Sequence, residues 1–352
     1  MKEILANLQK RVDINERQLE RLLEAFVLTN DFWEAIAISR LPFNTVVEAS
    51  RQLYSEGIIS FEDAGRVVLT EKGKSLIDIE KYPPSNYICE SCKGRGVSLE
   101  QWQELLEDYR RTVEGRPEPL LEYDQGYLTI DSTIARVAFA DGKGDIRKRR
   151  IIILGDDDLL SLALGLSRLP EKITVLEIDQ RLIEFIERVA KERKLNIEVL
   201  KHDLRNPLPS ELLGKFDTFF TDPVETLKGL EVFMARGIAS LKGEGCAGYF
   251  GLTTAESSFK KWRDIEKLLL NEFGVLITDI LSDFSLYENW DYLLDSIKKD
   301  LPPLQQKPEA LWYRSSLFRI ELLEGYKVSN EEGQGEIYLD EESIAWSGRE
   351  NR

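Results

Sequence analysis

The chain is poor in histidine, cysteine and methionine. Its 352 residues hold one histidine (His202), three cysteines and two methionines. A single histidine excludes histidine-rich metal sites, and a Ser-His-Asp triad would have to rest on that one side chain. Three cysteines, few and odd in number, exclude a secreted disulfide framework. No apolar run approaches the roughly 18 residues of a membrane span, and the opening MKEILANLQKR lacks the apolar core of a secretory signal. The expectation is a soluble, cytoplasmic protein with no membrane partner. Positive charge is also scarce: 47 Lys and Arg against 63 Asp and Glu leave a net charge of -16. That balance argues against a general nucleic-acid binder, which needs a basic face, and suits a polycationic partner. Apolar types are plentiful, 42% with 9% aromatics, and the length suits two compact domains with appendages. The high charged fraction beside so few Met and Cys leans towards a thermophile.

Residues 1–80 read as a small helical unit. Glu16 to Leu28 carries Leu19, Leu22, Leu23 and Phe26 at helical spacing. Asn30 and Asp31 are caps for a second helix, and a third runs from Pro42 to Glu56 with Val46, Val47, Ala49, Leu53 and Tyr54 as its stripe. Two short apolar runs around Ile58–Phe61 and Arg66–Thr70 read as a hairpin. Three helices and a hairpin resemble a winged helix-turn-helix domain. DNA binding is disfavoured, because residues 1–80 hold 10 Lys and Arg against 14 Asp and Glu, and the third helix has one Arg and two Glu. A docking or dimerisation module, giving a homodimer, is the alternative. Residues 81–119 read as a connector containing Cys89-Glu-Ser-Cys92 and a helix around Leu99 to Arg111. The two cysteines look like half of a zinc ribbon. With no second pair, a metal bridged between subunits, a redox pair and plain loop residues all stay open.

Residues 120–326 alternate strands and helices: Ile151–Leu154, Lys172–Asp179, Asn196–Leu200, Phe216–Pro223 and Gly245–Phe250 are strands, with helices between them. This predicts an α/β domain with a Rossmann-like, doubly wound parallel sheet. The segment Leu311–Leu323 reads as antiparallel edge strands, and residues 327–352 as a flexible acidic tail or lid. Ligands of such sheets bind beyond the carboxyl ends of the strands. Those ends carry Asp156, Asp157 and Asp158, then Glu177 and Asp179, then Asp203, then Asp222. Glu177 lies 22 residues after Gly155, where an acid accepts from ribose hydroxyls. Asp203 is placed to meet an adenine amino group.

This ordering resembles the nucleoside-binding frame of S-adenosylmethionine-dependent transferases, and Thr221-Asp222-Pro223 resembles the element with which amino-group methyltransferases hold a nitrogen. The first loop departs from them. Where they carry a glycine-rich loop, this chain has Gly155-Asp156-Asp157-Asp158. Like charges about 4 Å apart repel by on the order of 4 kcal/mol at an effective dielectric of about 20. Three aspartates therefore disfavour the cofactor's carboxylate and welcome an ammonium, as in decarboxylated S-adenosylmethionine. At these residues the chain resembles the branched-chain polyamine synthases, the N(4)-bis(aminopropyl)spermidine synthases of thermophiles, over nearly its whole length. The Tyr123-Asp124-Gln125 segment belongs to the same resemblance. It implies aminopropyl transfer to the secondary amine of spermidine, twice on one nitrogen, with methylthioadenosine released.

The resemblance makes Asp158 catalytic. We expect Asp158 to orient the amine and take its proton, and Asp222 to hold the nitrogen. Gly155, Asp156, Asp157, Glu177, Asp179, Asp203 and Gln125 are expected around the donor. Asp124, Glu256, Asp283 and Glu288, with Tyr123, Tyr287 and Trp290 by cation–π contact, are expected to anchor the polyamine. Three rival readings stay open: a methyltransferase using intact S-adenosylmethionine, a nucleoside-sensing DNA-binding regulator, and a linear aminopropyltransferase.

Overall fold

A computed structural model describes residues 2–62, 65–77, 89, 92, 94–120, 123–289, 297 and 301–344. The N-terminal unit contains α1 (Lys2–Leu8), α2 (Glu16–Leu28), α3 (Phe32–Ser39), α4 (Phe43–Ser55), an antiparallel pair β1 (Ile59–Phe61) and β2 (Val67–Leu69), and α5 (Glu71–Lys74). Asn15 and Gln18 form a reciprocal capping box on α2, and Asp31 accepts from Trp33 N and Glu34 N to start α3. This unit does not stand apart. Phe43 N donates to Ala255 O at 2.7 Å, Trp33 Nε1 to Gln306 O at 2.9 Å, and the Trp33 and Trp312 rings lie 5.1 Å apart. One apolar core joins it to Tyr287, Trp312, Tyr313 and Ile344 of the larger unit.

After α6 (Gln103–Thr112) and α7 (Ile130–Gly142) comes the main sheet: β3 (Arg150–Leu154), β4 (Lys172–Glu177), β5 (Ile197–Lys201), β6 (Thr218–Thr221), β7 (Ala247–Thr253), β8 (Val275–Leu286) and β9 (Arg314–Leu322). Its order is β5-β4-β3-β6-β7-β9-β8. The first five are parallel, and β9 runs antiparallel to both its neighbours. Helices α8 (Leu160–Ser167), α9 (Gln180–Arg193), α10 (Leu227–Ser240) and α11 (Phe259–Lys267) cover the faces. The central strands bury both faces, which is why Ile151–Leu154 and Thr218–Thr221 read as unbroken apolar or small runs. The strand order reverses at β3, so the crevice opens between the ends of β3 and β6.

Two expectations are corrected. The strand within Leu311–Leu323 is not at the edge: β9 is buried on both faces between β7 and β8. The edge belongs to β8, whose Leu276 and Ile280 stay exposed. Helix α7 carried no amphipathic signal, because Ser132 through Ala138 are all buried and no polar face marks it. Residues 327–344, expected as tail, pack against the crevice: Thr226 Oγ1 donates to Ile337 O at 2.6 Å, and Lys261 pairs with Asp340 at 2.7 Å and Glu342 at 3.3 Å. Among the described residues no helix is long and apolar enough to cross a membrane.

Candidate active site

The crevice holds a cavity of about 1120 Å³, mouth included, at the carboxyl ends of β3 to β7. The loop after β3 forms its floor. Gly155 takes φ 73°, a left-handed conformation that favours glycine, and its N–H bonds Leu176 O at 2.9 Å. Leu159, at the end of the loop, is also left-handed with φ 57°. The three aspartates between them point to three different places. Asp157 lines the cavity and accepts from Gly126 N at 3.0 Å. Asp156 turns under the loop and accepts from Ser161 N at the start of α8. Asp158 is 5% exposed and is set back from the cavity, accepting from Leu128 N at 2.7 Å and facing Arg136 Nη1 at 3.5 Å.

Burial dominates the electrostatics of this loop. It pushes the Asp156 carboxyl up to about 8 against the bonds from Ser161, and Asp157 up to about 7 against the bond from Gly126, with Asp222 adding to the rise. Asp158 also rises well above the carboxylate range through burial, then through Asp157 and Asp222, with Arg136 opposing.

Along the donor side, Glu177 ends β4 with one oxygen on Asp156 N at 2.8 Å and the other on Ile178 N and Asp179 N. Burial raises its pKa against these backbone bonds. Glu177, Gln125, His202 and Asp203 all line the cavity. Arg205 grips the Asp203 carboxylate and lowers its pKa. Asp179 stands one step behind, capping α9 and accepting from Gln125 Nε2 at 3.1 Å.

On the acceptor side, Asp222 lines the cavity with Oδ1 on Arg136 Nη2 at 3.0 Å and Oδ2 on the Tyr287 hydroxyl at 2.9 Å. Tyr287 and Tyr313 meet edge to face at 5.1 Å. Glu256 accepts from the Tyr313 hydroxyl and from Ile344 N. Tyr123 and Asp124 also line the cavity. Residues the sequence reading missed complete the wall or its support, among them Glu225, Tyr313, Tyr338 and Arg136. Glu225 accepts from Thr253 N at 2.7 Å with one oxygen, while the other is buried without a partner. It follows Asp222 by three positions, a signal that was available. Arg136 had one too, as a lone charge in the apolar stretch Ile134 to Phe139.

Several expected residues lie elsewhere. Asp156, Asp158 and Asp179 do not reach the cavity, because each spends its carboxylate on backbone or a neighbouring cation behind the wall. Asp283 sits in an irregular stretch of β8 with φ 51° and borders a separate small pocket with Ile36 and Trp312. Glu288 is absent from the cavity wall as well; its N–H bonds Tyr127 O. Trp290 lies outside the described residues. No cluster of three metal-ligand side chains occurs among the described residues, so Cys89 and Cys92 gain no third ligand there.

The sequence model of the branched-chain polyamine synthase A C-terminal domain matches residues 104–345. The chain is 46% identical to the N(4)-bis(aminopropyl)spermidine synthase of Thermococcus kodakarensis, over 97% of this chain and 99% of that one. It is 43% identical to the protein of the same name from Methanocaldococcus jannaschii, with the same coverage. The crystal structure of the branched-chain polyamine synthase from Thermus thermophilus, in complex with N4-aminopropylspermidine and 5'-methylthioadenosine, superposes with a TM-score of 0.88 at 38% identity over 97% of both chains. The chain belongs to the branched-chain polyamine synthase family.

Proposed function

We propose that this enzyme moves aminopropyl groups from decarboxylated S-adenosylmethionine to the internal nitrogen of spermidine, twice, and releases methylthioadenosine. One observation carries the reading. The cavity wall presents Asp124, Asp157, Asp222, Glu225 and Glu256, and no lysine or arginine occurs among its described lining residues. Such a wall attracts a polycation and offers nothing to a cofactor carboxylate.

The nucleoside would lie against Glu177 and Asp203, with its sulfonium arm turned towards Asp157. The internal nitrogen would face Asp222. Its lone pair attacks the methylene beside the sulfonium, the carbon–sulfur bond breaks, and the sulfur leaves with the electron pair. In the first transfer the nitrogen then sheds a proton to Asp222 in the cavity wall, with Asp158 as its partner behind the wall. In the second the nitrogen is tertiary and becomes quaternary, so any proton must leave before attack. The enzyme supplies chiefly alignment and an unprotonated amine, since the sulfonium is already a good leaving group. The distal ammonium groups would reach Glu225, Glu256 and Asp124, with Tyr123 beside them.

We read the N-terminal unit as a winged-helix-type module through which two copies pair, within the cytoplasm, rather than as a DNA reader. Incubation with spermidine and either donor, read by mass spectrometry with fragmentation, tests the central reading. The expected result is one and then two aminopropyl gains on the internal nitrogen. Methyl gains from the intact donor, or additions at terminal nitrogens, would refute it.

A further inference from the structure

Helix α7 sends one cation into the floor of the crevice. Arg136 is 4% exposed. Its Nη2 lies 3.0 Å from Asp222 Oδ1 and 2.9 Å from Asp222 Oδ2, its Nη1 lies 3.5 Å from Asp158 Oδ2, and its Nε donates to Ser285 Oγ at 3.0 Å. A guanidinium does not give up its proton in a protein, so this charge is permanent. The place beside Asp222, where a polyamine nitrogen would react, is therefore already neutralised in part. The other end of the cavity differs. Glu225 Oε2 has no hydrogen-bond partner, and the nearby Lys261 is engaged by Asp340 and Glu342.

We infer that Arg136 is a positioning residue whose fixed charge disfavours a proton on the nitrogen held beside Asp222, so that this nitrogen is met as the neutral nucleophile while the charged ends go to Glu225 and Glu256. This rests on the aminopropyl-transfer reading above. The groups around Arg136 are few: Asp158, with Asp157 beside it, from the loop after β3; Asp222 from the end of β6; Ser285 and Tyr287 from the end of β8. Arg95, a buried cation from the segment before α6, bonds Ser132 Oγ of this helix and Phe284 O rather than either carboxylate. With Arg136 gone, two adjacent carboxylates, one buried and one partly buried, and an amine share an excess of negative charge and take up a proton. Whether the carboxylates or the nitrogen hold it, transfer waits until it leaves. Removing a unit charge about 5 Å away, at an effective dielectric of about 20, moves a proton equilibrium by on the order of two pH units.

The test is the pH dependence of kcat for the first transfer, with spermidine and donor both saturating, in Arg136→Gln and Arg136→Lys. For Arg136→Gln the acid limb should move up by about one to two pH units. The loss at neutral pH should be on the order of 100-fold and largely recover in alkali, without a rise in KM for spermidine. Arg136→Lys should restore the wild-type limb to within about half a pH unit. A loss equal at every pH, or a limb that does not move, would overturn the inference, because a merely structural arginine gives that result. If Arg136→Gln fails to bind methylthioadenosine, Ser285→Ala decides: it removes the bond that aims the guanidinium, and an unmoved limb there counts against the inference equally. A wild-type enzyme that adds nothing to the internal nitrogen would instead sink the underlying reading.

Discussion

Gly251 offers a direct probe of Asp222, because nothing about its own backbone requires glycine. It lies in β7 between Phe250 and Leu252, without positive φ, and a Cβ built there would stand 2.3 Å from Asp222 Oδ1 and 3.1 Å from Ser315 Oγ. Asp222 cannot swing aside freely, since Arg136 and Tyr287 pin its two oxygens. Gly251→Ala must therefore push the carboxylate by about 1 Å to reach an ordinary contact, weakening two bonds, one of them to a cation. Hydrogen bonds to charged groups contribute about 1.5–3 kcal/mol each, and a misplacement of about 1 Å at a reacting centre costs on the order of 100-fold in rate. We expect kcat for both transfers to fall by about that factor while methylthioadenosine still binds, since Glu177 and Asp203 are untouched. Single-turnover mass spectrometry gives the rate, and calorimetry with methylthioadenosine gives the binding. A kcat within about twofold of wild type would show that the carboxylate does not need its place, and would remove Asp222 from the mechanism.

Asp158→Asn should lower the first transfer by about 10² to 10⁴-fold, the usual range for losing a proton acceptor; full activity measured by the same assay would refute the role. Glu225→Gln should raise KM for spermidine by on the order of tenfold and leave kcat nearly unchanged, as expected for an anchor that acts alike in ground and transition states. Stability should fall with rising pH. The Asp156 carboxyl, pushed up to about 8 by burial, keeps in the folded chain a proton that the unfolded chain loses near pH 4. This stabilisation is complete below about pH 4 and is lost as the pH climbs through about 8. Asp156→Asn should flatten that slope by up to about 5 kcal/mol between acid and mildly alkaline buffer, about 1.4 kcal/mol for each of roughly four pKa units; urea unfolding at the two ends checks it, and an unchanged slope would place the proton elsewhere.

Much of this enzyme was legible before any coordinates. The alternation of strands and helices fixed the sheet because β3 and β6 are buried on both faces and β-rich runs advertise themselves. The acids at strand ends were legible because a parallel sheet delivers every such residue to one rim. Gly155 to Asp158 carried the expectation of a cationic donor through charge alone, although only Asp157 of the three aspartates lines the cavity. Two things escaped for one reason: periodicity marks only what faces water on one side. Helix α7 is buried nearly all round and showed no stripe, so its Arg136 went unseen. Strand β9 looked like an edge until β8 was found outside it.

Which acid faces the ligand is a different kind of fact. Asp156, Asp157 and Asp158 are identical side chains in consecutive positions, and composition and spacing treat them alike. The left-handed turns at Gly155 and Leu159 rotate them apart, so that one caps α8, one faces the cavity and one meets Arg136. The same holds for Asp283, which a local reading put over the rim and the irregular pairing of β8 carried away. The sequence alone determined the charge, the fold class and the family. The tertiary structure decided which carboxylates line the cavity, because that depends on the backbone amides and the cations that chain folding brings beside them.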